Sequence, residues 1–347
     1  MSEASLGSRV QKRKNKRKKR ILAIGCCILL LLAAGVYLLR KEIGWFVFDH
    51  VVSPGIEKTL DNAYEPLPGR EVPTASGSKP YAVLLLGVDQ RKQEKGRSDT
   101  MIYTVVRPKE KKLFMVSIPR DSYAKIMGTS RKKEYYDKIT HAYAHGGAYS
   151  SVTTVEELLA NRVDYYAAIN FKGVEETVDS LGGLRLPIAK DLVNDDADHE
   201  KFLIKGGQKL YDGKDSLNYV RYREDAGGDI NRTHRQVEFI HAAISRMIEL
   251  NNLTKIPDIM NSLGDTLKTD MPPSEIMDNA KTFFEHGDNF IDSYTLPGTG
   301  GKRDDGIYYY NLDEDALNKV KAEIGLWLDP NTSLAELETG LDQTPTT

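Results

Sequence analysis

A stretch of nineteen residues without a charged side chain, Ile21–Leu39, lies near the N-terminus and constrains the topology of the whole chain. As a helix it would be about 28 Å long, close to the roughly 30 Å hydrocarbon core of a bilayer. A cleaved signal peptide is the alternative, but the run is longer than an ordinary apolar signal region and no clear cleavage site follows it. We therefore predict an uncleaved transmembrane helix at residues 21–39.

The charges around this segment predict its orientation. Nine of the first twenty residues are Lys or Arg, whereas only Arg40 and Lys41 directly follow the apolar run. The positive-inside rule places residues 1–20 in the cytoplasm as a basic tail and the remainder outside, which predicts a single-pass protein of the cell membrane. Of the 48 basic and 50 acidic residues, nine and one lie in the tail, so the remainder has a formal charge of about −10. The tail's position before a membrane span favours contact with anionic lipids over nucleic acid, and we predict no nucleic-acid partner.

Composition divides the rest of the chain into three parts. Residues 40–79, with four prolines among scattered Gly and Ser, are predicted to be an extracytoplasmic linker or stalk. Residues 80–328 are predicted to form a compact domain, and residues 329–347, rich in Thr and Pro, a flexible tail. The only cysteines, Cys26 and Cys27, lie in the apolar run. The exported part can therefore hold neither a disulfide nor a thiolate metal site.

Apolar runs typical of strands buried on both faces alternate with helical patterns in the predicted domain. Strands are predicted at residues 81–86, 101–106, 113–118, 165–170, 184–188, 290–296 and 307–310. Helices are predicted at residues 153–161, 172–181, 212–222, 231–250, 274–286 and 313–326, the first beginning at a capping box of Thr153 and Glu156. This order predicts an α/β protein, with one three-layer α/β/α domain around a mixed central sheet. In such sheets, sites lie at strand ends and in loops.

Aspartate and arginine occur together where the first predicted strand ends. Asp89 follows this strand, and Arg97 and Asp99 lie across a polar loop from it. Two carboxylates, completed by substrate oxygens and water, suit Mg²⁺, and Mn²⁺ takes similar ligands. An ordinary surface loop with ion pairs is the alternative for either aspartate taken alone. We predict Asp89 and Asp99 as the metal ligands.

A second pair, Arg120 and Asp121, directly follows the third predicted strand and Pro119. A guanidinium group matches phosphate oxygens two at a time, which predicts that Arg120 binds phosphate. We expect Asp121 to lie near the metal, to orient an arginine, or to accept the proton of an attacking hydroxyl. A solvated ion pair that caps the strand is the alternative.

The third cluster contains four arginines and a glutamine: Arg221, Arg223, Arg232, Arg235 and Gln236. Arg232 and Gln236 share one helix face because they are four residues apart. Arginines at a helix N-terminus oppose its dipole unless an anion is present, which argues against a merely exposed arginine face. Together with Arg97 and Arg120, the cluster predicts a site for a charged phosphate ester such as a diphosphate.

Two other patterns are ambiguous. His141 and His145 are four residues apart, but no Glu lies between them and Gly146-Gly147 follows, so a structural or surface role is favoured over a zinc site. The tyrosines at 308–310 are interpreted as strand packing, with a sugar platform as the alternative.

The ordered set of Arg/Asp motifs, following a membrane anchor, resembles the LytR–CpsA–Psr family over about residues 80–248. Each motif alone is weak, but the ordered set is specific. The resemblance implies an extracytoplasmic enzyme, mainly of Gram-positive bacteria, that moves an anionic glycopolymer such as wall teichoic acid or capsule. The donor would be an undecaprenyl-diphosphate carrier, and the product a phosphodiester to the muramic acid 6-hydroxyl of peptidoglycan.

The resemblance also implies roles for matching residues. The aspartates Asp89 and Asp99 would hold Mg²⁺ against the diphosphate, and an apolar tunnel would hold the polyprenyl tail. The residues matching the family's phosphate-binding positions are Arg97, Arg120, Arg221, Arg223, Arg232 and Gln236. For catalysis we predict charge stabilisation by the first four of these arginines and proton acceptance by Asp121. The alternatives are a magnesium-dependent pyrophosphatase acting on the same lipid, and a non-catalytic regulator of transcription.

Overall fold

The computed structural model describes much of the chain after residue 59, namely residues 60–71, 73, 79–89, 96–129, 134–195, 200–224, 228–250, 259, 263–264, 266–284 and 291–337. The basic tail and the predicted transmembrane helix at residues 21–39 lie outside these ranges. Within them, no helix combines the length and the apolar character needed to cross a membrane. Gly55–Thr347 forms one compact unit.

A six-stranded mixed sheet forms the centre of this unit. Its strands are β1 (Tyr81–Asp89), β2 (Arg97–Arg107), β3 (Lys112–Ser117), β6 (Tyr165–Asn170), β9 (Leu267–Thr269) and β10 (Ile291–Thr295). They are arranged in the order β10-β3-β2-β1-β6-β9. β1 is antiparallel to β2 and parallel to β6, and β3 is antiparallel to β2 and parallel to β10. The mixed central sheet is therefore confirmed.

Helices cover both faces of this sheet. The longer helices are α1 (His141–Leu159), α2 (Phe171–Ser180), α3 (Gly213–Arg221), α4 (Gly228–Leu250), α5 (Pro273–Phe284) and α6 (Glu314–Leu328). Alternate residues of β1 point to opposite sides. Leu84 and Leu86 pack in one apolar cluster with residues of α1 and α6, whereas Val83 packs in another with Val237 of α4 and Ile276 of α5. This gives three layers, as predicted.

The compact unit begins inside the segment predicted as a linker, residues 40–79. Leu60, Ala63 and Leu67 are buried. The Arg70 guanidinium donates to both carboxylate oxygens of Glu156, at 2.7 and 2.9 Å. Four prolines indicated a stalk, but a few apolar side chains and one bidentate ion pair fix part of this segment on the domain.

The domain also continues into the predicted tail, residues 329–347. Arg107, at the end of β2, is fully buried and donates to the backbone oxygens of Trp327, Asp329 and Thr332 at 2.9–3.0 Å. A buried guanidinium needs such acceptors, so this arginine holds the chain after α6 against the sheet. A short helix, α7 (Leu334–Leu337), follows and buries Leu337. Residues 338–347 lie outside the described part of the chain.

Helix α1 begins earlier than the predicted capping box, so that prediction was wrong. Its N-cap is Thr140, and the helix passes through a kink at Gly146 and Gly147. Thr153 lies within the helix, where its hydroxyl donates to the carbonyl of Tyr149 at 2.9 Å. Glycine tolerates the positive φ of 63° at Gly147, and the pair therefore bends the helix without ending it.

The predicted strand at residues 184–188 is also wrong, because Leu184 forms only an isolated bridge with Tyr211. The other predicted elements are confirmed, with ends shifted by at most four residues. Three hairpins complete the fold: β4 (Tyr123–Lys125) with β5 (Tyr136–Lys138), β7 (Leu192–Asn194) with β8 (Phe202–Ile204), and β11 (Gly298–Lys302) with β12 (Tyr308–Leu312). Only β12 was predicted. The strands β4, β5, β7 and β8 have three residues each, too few to show alternation, and β11 is mostly glycine.

Candidate active site

A β-bulge sets the direction of Asp99 in the β1–β2 hairpin. Gly87 pairs with Thr100 and Val88 with Ser98, so Asp99 is the extra residue on β2. A bulge re-aims side chains along a strand. Ser98 is accordingly fully buried, whereas 22% of the Asp99 side chain is exposed. Glycine is needed at position 87, because a Cβ there would lie 2.9 Å from the Thr100 Cβ.

A polar cavity of about 380 Å³ lies where β1 ends and β2 begins. Eight of the ten residues predicted for the site line it: Asp89, Arg97, Asp99, Arg120, Arg221, Arg223, Arg232 and Gln236. The other two, Asp121 and Arg235, are not part of this lining. Five guanidinium groups from three separate stretches of the sequence therefore face one cavity.

Asp99 and Arg120 connect the bulge to the turn after β3. Arg120 Nη1 lies 2.6 Å from Asp99 Oδ1, and about one fifth of each side chain is exposed. The Gln236 side-chain amide donates to the backbone oxygen of Asp99 at 3.4 Å. Contacts from β2, the turn and α4 thus meet at Asp99 and fix the position of the Arg120 guanidinium.

Asp121 is held between two cations. Lys138 Nζ, on β5, lies 2.8 Å from Asp121 Oδ1, and Arg120 Nε lies 3.6 Å from Oδ2. Only 9% of the Asp121 side chain is exposed. Of the roles considered from the sequence, orienting an arginine fits this geometry. Its role as proton acceptor stays a prediction. Here both carboxylate oxygens contact cations, and the side chain lies outside the cavity lining.

Arg221 ends helix α3 and contacts both an acid and an aromatic ring. Its Nη1 lies 3.3 Å from Glu200 Oε2, and its Cζ lies 5.2 Å from the ring centroid of Phe171. Carboxylates and phosphates bind guanidinium groups in the same way. Glu200 is therefore a competitor for any anion that Arg221 binds.

Helix phase separates Arg235 from Arg232 and Gln236. Successive residues turn by about 100°, so Arg235 lies roughly 60° from Arg232, on the side away from Gln236. Arg235 Nη1 donates to the backbone oxygen of Tyr222 at 2.9 Å, and Arg235 Cζ lies 5.0 Å from the centroid of the Tyr222 ring. Burial lowers the pKa of Arg235. Arg235 was predicted to contact the substrate. Here it instead positions the segment that carries Arg221 and Arg223, the residues on either side of Tyr222.

Asp89 and Asp99 fit a metal that is completed by substrate. Both line the cavity. Among the residues that the structure describes, no group of three or more His, Cys, Asp or Glu side chains is arranged to hold a metal ion. Mg²⁺ is commonly held by one or two carboxylates, with water and phosphate oxygens as the other ligands. The donor set therefore suits a cation that binds together with a phosphate ester.

Several lining residues were not predicted from the sequence. Asn194, Glu200 and Phe202 belong to the β7–β8 hairpin or its connecting loop, and Phe171 begins α2. Phe171 could have been found, because β6 runs parallel to β1 and both strands end at the same edge of the sheet. The hairpin gave no such signal, since its strands are short and its acidic loop resembles an ordinary exposed loop.

Comparison with known proteins identifies the family of this chain. Residues 55–325 match the model of the LytR_cpsA_psr family. The chain belongs to the LytR–CpsA–Psr family. The match begins before and ends after the region recognised from the motifs, residues 80–248. Its N-terminal part includes the buried residues Leu60, Ala63 and Leu67.

Other members of the LytR–CpsA–Psr family resemble the chain over most of its length. A Bacillus cereus protein named polyisoprenyl-teichoic acid--peptidoglycan teichoic acid transferase TagU is 35% identical over 294 residues, which cover 81% of this chain and 93% of the relative. The crystal structure of Bacillus subtilis TagV matches with a TM-score of 0.63 at 29% identity, covering 73% of this chain and 98% of TagV. A structure of TagT bound to LI-WTA matches with a TM-score of 0.62 at 31% identity, covering 76% of this chain and 96% of the TagT chain.

Proposed function

We propose that this LytR–CpsA–Psr protein transfers an anionic glycopolymer, of the wall teichoic acid or capsule type, from an undecaprenyl-diphosphate carrier to the muramic acid 6-hydroxyl of peptidoglycan. The observation that carries the proposal is the cavity, where five arginines and Gln236 gather beside two aspartates. The names of the relatives, among them TagU of Bacillus cereus, and the structure of TagT bound to LI-WTA support the same activity.

The charges in the cavity favour a diphosphate that binds together with a cation. The five arginines face four carboxylates, those of Asp89, Asp99, Glu200 and Glu224. A diphosphate alone would thus meet an almost neutral cavity. A divalent cation at Asp89 and Asp99 would offset these two carboxylates and leave a positive excess for the two negative charges of a diphosphate diester. We propose Mg²⁺ or Mn²⁺ for this position.

The reaction forms a bond between the acceptor oxygen and the phosphorus next to the sugar, and it breaks the bond from that phosphorus to the bridging oxygen. Undecaprenyl phosphate leaves with the bridging oxygen, and the acceptor hydroxyl loses its proton to solvent. Arg120, fixed by Asp99, and Arg221 neutralise charge on the two phosphates, as in other phosphoryl transfers. Arg97 and Arg223 act with them, and Arg232 and Gln236 bind the phosphates. A bound cation would stabilise the leaving phosphate.

A prenyl chain needs an apolar exit from this polar cavity. Phe171, Phe202 and Val220 are apolar side chains of the lining, and Phe171 already contacts Arg221. We propose that the first isoprene units of the donor contact these three residues. The phosphates would then lie on the arginine side of the cavity.

Anchoring of the domain is part of the same proposal. A transmembrane helix at residues 21–39, with residues 1–20 in the cytoplasm, would place the domain on the outer side of the membrane. There it can reach both a lipid-linked donor in the bilayer and the peptidoglycan.

A reconstituted reaction tests the proposal. The full-length chain would be incubated with a synthetic polyprenyl-diphosphate-linked sugar, peptidoglycan oligomers and Mg²⁺, and the products analysed by mass spectrometry. We expect a phosphodiester-linked product that disappears with EDTA and with Arg120→Ala. Release of free sugar phosphate without linkage would support the pyrophosphatase alternative. Absence of turnover with donors of both the teichoic acid and the capsule type would contradict an enzymatic role.

A further inference from the structure

Three tyrosines lie around Lys138, and the proposed chemistry leaves them unused. Tyr136 on β5 and Tyr308 on β12 are 45% and 43% exposed, which is high for large aromatic side chains. Tyr123 on β4 stacks on Tyr136, with ring centroids 5.5 Å apart and planes 20° from parallel. We call Tyr123, Tyr136 and Tyr308 the aromatic platform.

The β4–β5 hairpin places two of these rings on one face. Tyr123 pairs with Lys138, and Lys125 pairs with Tyr136. Because side chains alternate along a strand, all four side chains point to the same side. The ring of Tyr123 also meets that of Tyr309 edge-on, with centroids 5.1 Å apart. This contact joins the hairpin to β12. Tyr308, the neighbouring residue on that strand, approaches the hairpin through Lys138, whose Nζ lies 5.9 Å from the Tyr308 ring centroid.

Gly300 in β11 makes room for the Tyr308 ring. A Cβ on Gly300 would lie 2.6 Å from Tyr308 Cζ, so the Tyr308 ring lies across bare backbone. Any larger residue at position 300 would displace the ring. The glycine-rich sequence of β11 therefore has a specific consequence, which is to fix Tyr308 in the platform.

Two cations border the platform. Arg303 Cζ lies 3.5 Å from the ring centroid of Tyr123, and Lys138 Nζ lies 5.9 Å from that of Tyr308. The exposed rings of Tyr136 and Tyr308 can stack on the C–H face of a sugar ring, and Arg303, which covers the Tyr123 ring, can pair with a carboxylate. This combination suits a glycan that carries carboxylates more than it suits an uncharged glycan.

A chain of ion pairs connects the platform to the cavity. Lys138 contacts Asp121 at 2.8 Å, and Asp121 contacts Arg120 at 3.6 Å. The backbone N–H of Tyr310, on the platform's strand β12, donates to the backbone oxygen of Asp121 at 2.8 Å. The platform is therefore linked to Arg120 through Asp121.

We propose that the aromatic platform binds the acceptor, as a strand of N-acetylated amino sugars bearing lactyl or peptide carboxylates. This inference rests on the proposed transfer to peptidoglycan and deepens it by assigning the acceptor to a surface. The donor would occupy the arginine-lined cavity, and the two substrates would meet at Arg120. A protein partner is the other class of occupant, and the test below separates the two.

Binding of a defined glycan tests the inference without requiring turnover. The full-length chain would be titrated with an uncrosslinked peptidoglycan tetrasaccharide, and separately with chitotetraose as an uncharged glycan. We expect the double variant Tyr136→Ala/Tyr308→Ala to bind the tetrasaccharide at least about tenfold more weakly, while Tyr136→Phe/Tyr308→Phe keeps the affinity because stacking survives. Arg303→Gln should weaken the tetrasaccharide more than chitotetraose. Leu326→Ala, which truncates another exposed apolar side chain, is the matched control and should have no effect.

The outcomes separate this inference from the proposed function. If wild type transfers glycopolymer, a raised KM for acceptor in the Ala double variant, with unchanged donor binding, supports the platform. Unchanged acceptor KM and unchanged tetrasaccharide affinity in that variant would overturn the platform and leave the transferase standing. Tetrasaccharide binding that depends on the tyrosines, in a wild type without transfer, would support the platform and overturn the transferase. If the wild type binds neither glycan, the platform is not a glycan site and the inference is overturned.

Discussion

Arg120 Nη1 lies 2.6 Å from Asp99 Oδ1, and this contact links the turn after β3 to the bulge of the β1–β2 hairpin. Two motifs that are 21 residues apart in the sequence are thereby combined into one element of the cavity. A guanidinium held in this way needs little reorganisation when a phosphate binds, and such preorganisation is a main source of catalysis in charge-stabilising sites.

Replacing Arg120 by lysine should reduce transfer about a hundredfold or more, because lysine keeps the charge but not the planar fork. The fold should change little in stability, since the pair with Asp99 is partly exposed. Arg162→Lys is the matched control. Arg162 Nε pairs with Asp164 at 3.2 Å, near the start of β6 and therefore at the opposite edge of the sheet. The two variants are compared by their initial rates of product formation. An equal loss of rate in both would contradict a specific role for Arg120.

Glu200→Gln should strengthen donor binding about two- to fivefold at low ionic strength, because it removes an acidic competitor for Arg221. The gain should shrink as salt is added. Titration with radiolabelled donor at two salt concentrations measures the effect. Glu157→Gln, which removes another exposed acid with a basic partner, Lys125, should leave affinity unchanged. Weaker binding by Glu200→Gln would show instead that this carboxylate helps to hold the donor.

Gly87→Ala should disturb the bulge, because the new Cβ would lie 2.9 Å from the Thr100 Cβ. Overpacking of this kind costs about 1–3 kcal/mol, and the displaced Asp99 should reduce transfer further. Gly325→Ala is a control of opposite sign. A Cβ added at Gly325, in helix α6, would have no other atom within 4 Å. Alanine at this position should therefore stabilise the helix by about 0.5–1 kcal/mol. Denaturation curves and transfer rates for both variants decide whether glycine is required at position 87 because a Cβ would not fit there.

Asp270→Asn should stabilise the protein at pH 8 and lose this advantage as the pH falls towards 4. Burial raises the pKa of Asp270 to about 6, although its carboxylate accepts the N–H of Tyr166 at 2.7 Å. A carboxyl whose pKa is raised by folding destabilises the fold fully above about pH 6. This penalty disappears between pH 6 and its unfolded pKa of about 3.9.

A shift of about two pKa units corresponds to about 3 kcal/mol at most. Asparagine keeps an acceptor oxygen for the N–H of Tyr166 without the charge. Urea denaturation of wild type and Asp270→Asn at pH 8, 6 and 4 measures the difference in the free energy of unfolding. The same difference at all three pH values would contradict the assignment, since a contribution independent of titration would then explain it.

The sequence was sufficient to predict the site residues that lie at the end of a strand. Asp89 and Arg120 each follow a long apolar run, and such runs mark where a buried strand stops. Arg232 and Gln236 were paired correctly by helical spacing alone. The membrane anchor and the cation stay predictions, because the former lies outside the described residues and the latter concerns a ligand.

Other properties depend on contacts that no local pattern encodes. The direction of Asp99 comes from a one-residue bulge, which appears only once β1 and β2 are in register. Arg235 turned away from the cavity because of its phase on α4 and the position of Tyr222. The ion pair between Asp121 and Lys138 depends on a strand of three residues. In each case, tertiary packing decided the orientation of a residue that the sequence had only located.

A structure with donor bound would show whether the arginine-lined cavity holds the diphosphate beside a cation. Crystals grown with a short-chain prenyl-diphosphate-linked sugar and Mn²⁺ would be measured at wavelengths that locate manganese and phosphorus by anomalous scattering. We predict a manganese peak between Asp89 and Asp99. We also predict that the two phosphorus peaks place phosphate oxygens within hydrogen-bonding distance of Arg120 and Arg221. A diphosphate bound elsewhere on the domain, with the Glu200–Arg221 pair intact, would show that this cavity is not the donor site.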